Sequence, residues 1–455
     1  MRTLLTALCR LLLRIFFRRI EQIGVEQVPS GAQTPVLYVL NHPNALLDPL
    51  FIICLSPRPV TFLAKAPLFT TFMARSFVRA FECLPVYRKQ DGGDPKQNRA
   101  SIEASIVLLA SGKALALFPE GISHSKPALV PLKTGAARIA LSASAATAER
   151  QPAPVRIVPV GLCYADKTTF RSNATLIYGP PIETPVVALD ARERPPEAAA
   201  EALTATIEGA LREVSLQAQT HELAELARAT ARVLSAAERD AEISDGSLPP
   251  LEQLELEQRL VDGYEHLHRD APGRVAALVG RVRAFEAELE RLGMPVDHPV
   301  ALERRRALRW GLARALSLAA LALPAALGIL THYLPYRGVD LLAHRLAPGQ
   351  TQDGDIEDVL ASMKMAGGLL LFPLAWIALA GGLALVHRWT SGLAALVLLP
   401  ACGYAALRFV EILAELIDRA RGAWRLVSER DLAAHIARER KEIRAEVLAL
   451  AQLLP

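Results

Sequence analysis

The sequence predicts an α/β domain, then a helical extension, then a membrane-crossing hairpin towards the carboxyl end. Three observations predict this. Short apolar runs alternate with helical stretches across residues 26–190, the pattern of strands and helices that share one core. Composition then shifts to Ala, Glu, Leu and Arg across 191–300, as in amphipathic helices that sit in water. Finally, the stretches 366–386 and 389–407 carry no charged residue apart from their junction at His387 and Arg388. Each has the roughly twenty residues that cross a hydrocarbon core.

Residues 1–25 come first and predict a basic amphipathic helix. At 100° per residue, Leu5, Leu8, Leu12, Ile15 and Phe16 share one face, with Arg10, Arg14 and Arg18 opposite. That arrangement suits an anionic phospholipid surface. A cleaved signal peptide is disfavoured, because arginines interrupt the apolar run and no small-residue cleavage site follows. Within the α/β domain, 36–40, 114–118 and 157–160 have strand length and composition, with helices over 97–111 and 135–146 between them. The helical region breaks at 245–250 and 270–273, where Pro, Gly and Asp cluster. The membrane region spans 301–425, and a final helix occupies 426–455.

A third apolar run, 315–330, contains Pro324 and reads as re-entrant or spanning. Arg304, Arg305, Arg306, Arg309 and Arg314 place its start in the cytoplasm. Arg419, Arg421 and Arg425 place the tail there too. Two crossings satisfy both constraints and three do not. The expectation is therefore a spanning hairpin with 315–330 re-entrant or interfacial, and the α/β domain facing the cytoplasm.

Composition narrows the function. Of 455 residues, 51% are hydrophobic and mean hydropathy is +0.24, which excludes disorder and points to lipid-facing surface. The net charge of +4 is too small for a nucleic-acid binder. Five widely spaced cysteines without a C-x-x-C argue against a disulfide framework or zinc cage and fit a reducing compartment. No P-loop, G-x-G-x-x-G or G-x-S-x-G block occurs. His266 and His268 are two apart and share no helix face, so they form no metal pair. A transporter needs polar residues inside its spans, and the hairpin has almost none.

Chemistry concentrates in the α/β domain. Asn41-His42-Pro43-Asn44-Ala45-Leu46-Leu47-Asp48-Pro49 follows an apolar strand and opens a helix. An Asp six positions after a His can fold back around such a turn; its carboxylate on one imidazole nitrogen makes the other a general base. Leu84-Pro85-Val86-Tyr87-Arg88 ends a second strand with a guanidinium suited to phosphate. Phe118-Pro119-Glu120-Gly121-Ile122-Ser123 closes a third with a carboxylate, and Val158-Pro159-Val160-Gly161 closes a fourth. Ligand sites in open α/β sheets form beyond the carboxyl ends of strands, so these ends converge.

In that order, over about 120 residues, the blocks resemble those of the glycerophospholipid acyltransferase family: N-H-x4-D, a G-x-x-P-V-x-R type block, F-P-E-G and V-P-V. The resemblance implies a glycerolipid acyltransferase-like mixed sheet with flanking helices. It implies His42 as catalytic base and Asp48 as its orienter. Arg88, Glu120, Gly121 and Ser123 would bind the glycerol-phosphate acceptor, and Pro159 would shape the acyl-donor side. The reaction implied is transfer of a fatty acyl group from acyl-CoA or acyl carrier protein to a hydroxyl of glycerol-3-phosphate or 1-acylglycerol-3-phosphate, in phospholipid biosynthesis. No cofactor or metal is implied. Backbone amides near Pro43 are candidates for holding the oxyanion. The alternative is a non-catalytic membrane scaffold that retains the fold.

Two departures stand out. Five residues separate His42 from Asp48 where the family block has four, and Glu82 or Cys83 stands where the second block has glycine. The longer spacing is similar to the fungal-type glycerol-3-phosphate/dihydroxyacetone-phosphate acyltransferases, as are the helical extension and the late membrane segments. Softer matches to that subgroup lie at 256–264 and at Met363-Lys364-Met365.

Overall fold

The computed structural model describes residues 2–31, 33–70, 72–87, 97–148, 154–242, 248–300, 304–346, 357–429 and 431–454. They form two units that interleave along the chain. One comprises Met1–Gln217 with His344–Met365, the other Ala218–Ala343 with Ala366–Pro455.

The first unit opens with helix α1 (Arg2–Phe16) and strand β1 (Arg19–Ile23), followed by β2 (Val36–Leu40), α2 (Leu47–Leu55), β3 (Val60–Lys65) and α3 (Phe72–Ala80). Then come β4 (Leu84–Val86), α4 (Asn98–Ala110), β5 (Ala114–Leu117), α5 (Gly135–Ala148), β6 (Arg156–Tyr164), β7 (Asn173–Tyr178), β8 (Ile182–Glu183) and α6 (Glu197–Glu213). The sheet order is β1-β7-β6-β2-β5-β3-β4, with β8 beside β6. Strands β6, β2, β5, β3 and β4 run parallel, whereas β7 and β8 oppose β6, so the sheet is mixed. Central β2 is buried along its whole length, which explains its unbroken apolar run: a strand covered on both faces shows no alternation.

Helix α1 departs from the expected membrane-surface face. Cys9, Leu13 and Phe16 are buried in the core of the α/β unit, and Leu5 packs against it. Of the leucines placed on the lipid face, Leu8 is exposed while Leu12 and Ile15 are half-buried. Two arginines serve the fold: Arg10 Nε donates to the Cys54 carbonyl (2.6 Å) and Arg2 to that of Val60 (2.8 Å). Arg171 donates to the carbonyls of Arg14, Ile15 and Phe17, closing the helix's carboxyl end. The apolar stripe at 5, 9, 13 and 16 is as regular as the one first drawn, and core packing claims it. Strand β1 pairs with β7, so residues 1–25 belong to the α/β unit.

The second unit is helical: α7 (His221–Glu242), α8 (Pro250–Asp270), α9 (Pro272–Arg291), α10 (Arg304–Leu346), α11 (Glu357–Val386), α12 (Trp389–Ser428) and α13 (Leu432–Ala451). Val233, Val282, Phe285, Ile436 and Ile443 form one buried core. Arg440 is 1% exposed there. Its two terminal nitrogens reach Asp240 Oδ2 (2.7 Å) and the carbonyls of Val296 and His298 (2.7 and 2.8 Å), while Nε has no partner among the described residues.

Among the described residues, three helices are long and apolar enough to cross a membrane: Leu308–Leu346, Val359–Val386 and Trp389–Ser428. Leu316, Leu323, Leu330, Ile377, Leu385 and Val397 along them are exposed, as lipid-facing side chains are, and this supports membrane association. The 315–330 run is helical throughout, inside a 43-residue helix that contains Pro324 and Pro335. No chain break marks it as re-entrant, because a proline removes one ladder donor and neighbouring turns hold the helix. Its neighbours are spread along the two hairpin helices. Arg314 pairs with Glu415 (3.5 Å), Gly328 lies against the Cys402 carbonyl, and Val339 packs against Gly367. Small residues let these helices approach closely.

Candidate active site

Because β2 and β5 are parallel neighbours, the segments that follow them, 41–48 and 118–124, leave the sheet side by side. On the other flank of β2, Asn41 exchanges two hydrogen bonds with the backbone of Leu162 in β6 (2.7 and 3.1 Å). The first residue after the strand is thereby fixed, and His42 comes next.

His42 Nδ1 lies 2.8 Å from Asp48 Oδ2. Asp48 is wholly buried in the first turn of α2. Its Oδ2 also accepts the Asn44 N–H (2.7 Å), and its Oδ1 accepts the Tyr164 hydroxyl (2.6 Å). An ionised carboxylate only accepts, so Nδ1 carries the proton and Nε2 is the basic nitrogen. Among the described residues, Nε2 has no hydrogen-bond partner. The His42 side chain is 16% exposed, and its ring stacks on Phe118 with centroids 3.7 Å apart. An oriented imidazole with one nitrogen open is the arrangement of a general base.

Burial, then the Asp48 charge and the hydrogen bond to it, hold the Tyr164 hydroxyl well above the ordinary tyrosine pKa. It is therefore a permanent donor to Asp48. Tyr164→Phe is expected to cost about 1 kcal/mol, or roughly fivefold in kcat, with KM unchanged. Steady-state kinetics check this, and an unchanged kcat would remove Tyr164 from the orienting network.

The third block is turned inward. Glu120 is 2% exposed, and protein groups occupy its carboxylate. Oε1 accepts the His42 N–H (3.0 Å), while Oε2 accepts the Val130 N–H (3.0 Å) and lies 2.5 Å from His124 Nε2. The His124 N–H in turn donates to the His42 carbonyl (3.1 Å). Glu120 thus clamps the His42 loop from within. Ser123 is also turned to the loop, its Oγ accepting the Ala45 N–H (3.0 Å). Gly121 closes a turn on the Phe118 carbonyl (3.1 Å). Its φ is +73°, and a Cβ there would meet the Lys133 side chain.

Pro159 is buried within β6, in register with Val39 of β2; the strand continues to Tyr164, so the fourth block lies inside a strand and does not close it. Arg88 lies outside the described residues. The amides near Pro43 are occupied as well: those of Asn44, Ala45 and Leu46 donate to Asp48, Ser123 and Ser362. They are not open oxyanion donors in this structure.

Sequence reasoning missed Tyr164 and His124. Tyr164 ends β6, at the same sheet edge as the blocks, and His124 follows the third block directly. Both positions were legible signals. Lys167 adds positive charge nearby, its ammonium reaching the Pro43 carbonyl (3.5 Å) and the Ser125 hydroxyl. Lys364 donates to the Thr168 carbonyl (3.4 Å).

Two family models match the chain: "Acyltransferase" over residues 19–163 and "Glycerol-3-phosphate acyltransferase 2 C-terminal domain" over 233–454. An "Uncharacterized acyltransferase" of Schizosaccharomyces pombe is 28% identical over 75% of this chain and 52% of its own length. "Glycerol-3-phosphate O-acyltransferase 1" of Saccharomyces cerevisiae is 30% identical over 59% of this chain and 35% of its own length. A "Probable 1-acyl-sn-glycerol-3-phosphate acyltransferase" of Mycoplasma pneumoniae is 32% identical over 27% of this chain and 44% of its own length. The chain thus spans about half or less of the length of these curated relatives. The two models fall in the order the resemblance implied, catalytic blocks first and helical extension second: the chain carries an acyltransferase-family domain followed by a glycerol-3-phosphate acyltransferase 2 C-terminal domain, and it is similar to the yeast glycerol-3-phosphate acyltransferases.

Proposed function

We propose that this protein transfers a fatty acyl group from an acyl thioester, acyl-CoA or acyl carrier protein, to a hydroxyl of glycerol-3-phosphate at a membrane surface. One observation carries the reading: His42 Nδ1 held 2.8 Å from buried Asp48, with Nε2 open. In this reading the acceptor oxygen attacks the thioester carbonyl carbon while His42 Nε2 takes the hydroxyl proton. Asp48 stabilises the imidazolium that forms. The tetrahedral intermediate collapses, the C–S bond breaks, and the proton passes to the departing thiolate. A thioester is reactive enough to need no metal, prosthetic group or covalent enzyme intermediate.

Glycerol-3-phosphate is favoured over 1-acylglycerol-3-phosphate by the model matched over 233–454 and by the yeast relatives. Lys167 and Lys364 near the His42 loop suit a phosphorylated acceptor. The arginines after the hairpin favour a cytoplasmic site. Exposed Leu4, Leu8 and Leu11 on α1 give that unit an apolar stripe for the headgroup boundary.

Thiol release from acyl-CoA or acyl carrier protein by membranes containing the full chain tests the proposal. Release should require glycerol-3-phosphate. A larger rate with 1-acylglycerol-3-phosphate overturns the acceptor, and release with neither overturns the enzyme.

A further inference from the structure

The turn between His42 and Asp48 has one residue more than the family block, and the structure shows how the excess is accommodated. Ala45 adopts φ +29°, a conformation a side chain disfavours and keeps only where its surroundings impose it. Here they do. Three consecutive amides are each held by a different side chain: Asn44 by Asp48 (2.7 Å), Ala45 by Ser123 (3.0 Å) and Leu46 by Ser362 (3.1 Å).

The third holder is the unexpected one. Ser362 is 316 positions from Leu46 in sequence and lies in the opening turns of α11, within the stretch that folds with the α/β unit. It is 2% exposed. Ala361 beside it is wholly buried in the core that also holds β2 and α2, and Met365 packs on that core. Lys364 donates to the Thr168 carbonyl (3.4 Å), and the adjacent Lys167 carbonyl accepts from the Asn44 side chain (3.3 Å). The start of α11 is thus built against the catalytic turn from two sides. Four residues after Ser362 the same helix enters the uncharged stretch that begins at Ala366.

We propose that Ser362 is a positioning residue of the active site, its hydroxyl pinning the lengthened turn so that the His42 ring stays aligned on Asp48. The last turns before the apolar stretch of α11 are then part of the catalytic apparatus as well as an anchor. This rests on His42 being the base. Ser362 Oγ accepts the Leu46 N–H of the turn, so its loss should act on turnover and not on binding. A small misplacement of a catalytic group costs up to about 10²-fold.

The test is Ser362→Ala in the full-length chain, with kcat, both KM values, and hydrogen–deuterium exchange of peptides covering 41–49. The expected result is a kcat lower by about 10–100-fold, KM values within about twofold, and faster exchange confined to the 41–49 peptides. A kcat within twofold of wild type overturns the proposal. So does a loss confined to KM, or faster exchange across the whole α/β unit, which marks general destabilisation. If wild-type chain transfers no acyl group, the functional reading fails, and the exchange measurement still decides whether Ser362 holds the turn.

Discussion

His42→Ala is expected to lower kcat by about 10²–10⁴-fold, the usual worth of a positioned base, while the protein stays folded. The structure separates the two effects. The ring is 16% exposed and stacks on Phe118, so truncation gives up that stacking contact, a cost of about 1 kcal/mol. Asp48 loses one partner but keeps Asn44 and Tyr164 as donors, so no uncompensated carboxylate is left in the core. The backbone bonds of residue 42 to Glu120 and His124 do not involve the side chain and persist. Thiol release and thermal unfolding of the same preparation check both halves. Turnover near wild type would show that the acceptor is deprotonated elsewhere.

The opposite pattern is expected at Glu120. Removing its carboxylate strands the His42 and Val130 amides and the His124 ring, all grouped around a 2%-exposed side chain. Breaking a buried hydrogen-bonded pair of this kind costs about 3–5 kcal/mol. Glu120→Ala should therefore lower the unfolding temperature by several degrees and depress kcat together, since the loop that carries His42 loses its tether. Glu120→Gln keeps the shape but turns an amide donor towards existing donors, so it should fall between. An unchanged unfolding temperature with a raised KM for the acceptor alone would restore Glu120 to the substrate-facing role that the resemblance implied.

Much of this was legible in the sequence. Apolar runs of strand length marked the central sheet, and the His42–Asp48 pairing followed from a six-residue offset across a turn. Whatever depended on partners remote in sequence was hidden. Nothing local says whether Glu120 faces a ligand or the backbone of His42. Nor does any local pattern tell that Ala361 and Ser362 fold with a sheet whose last strand ends at Glu183. In helix α1 the face that packs into the core, Cys9, Leu13 and Phe16, was not the one drawn from the sequence, because an apolar stripe serves a membrane or a core equally well and periodicity does not choose between them. The missing glycine of the second block is informative in hindsight: Glu82 takes φ +53° there, so the left-handed backbone is kept although the residue that adopts it most readily is absent.

The inward-facing Glu120 also bears on how such a protein would decay under relaxed selection. A lineage that gave up transfer yet still needed the folded domain would be free to lose His42 early, at little thermodynamic penalty, but would be held to Glu120 for solvency of the fold. In descendants of this chain, an intact third block would then report foldedness, and the imidazole alone would report chemistry.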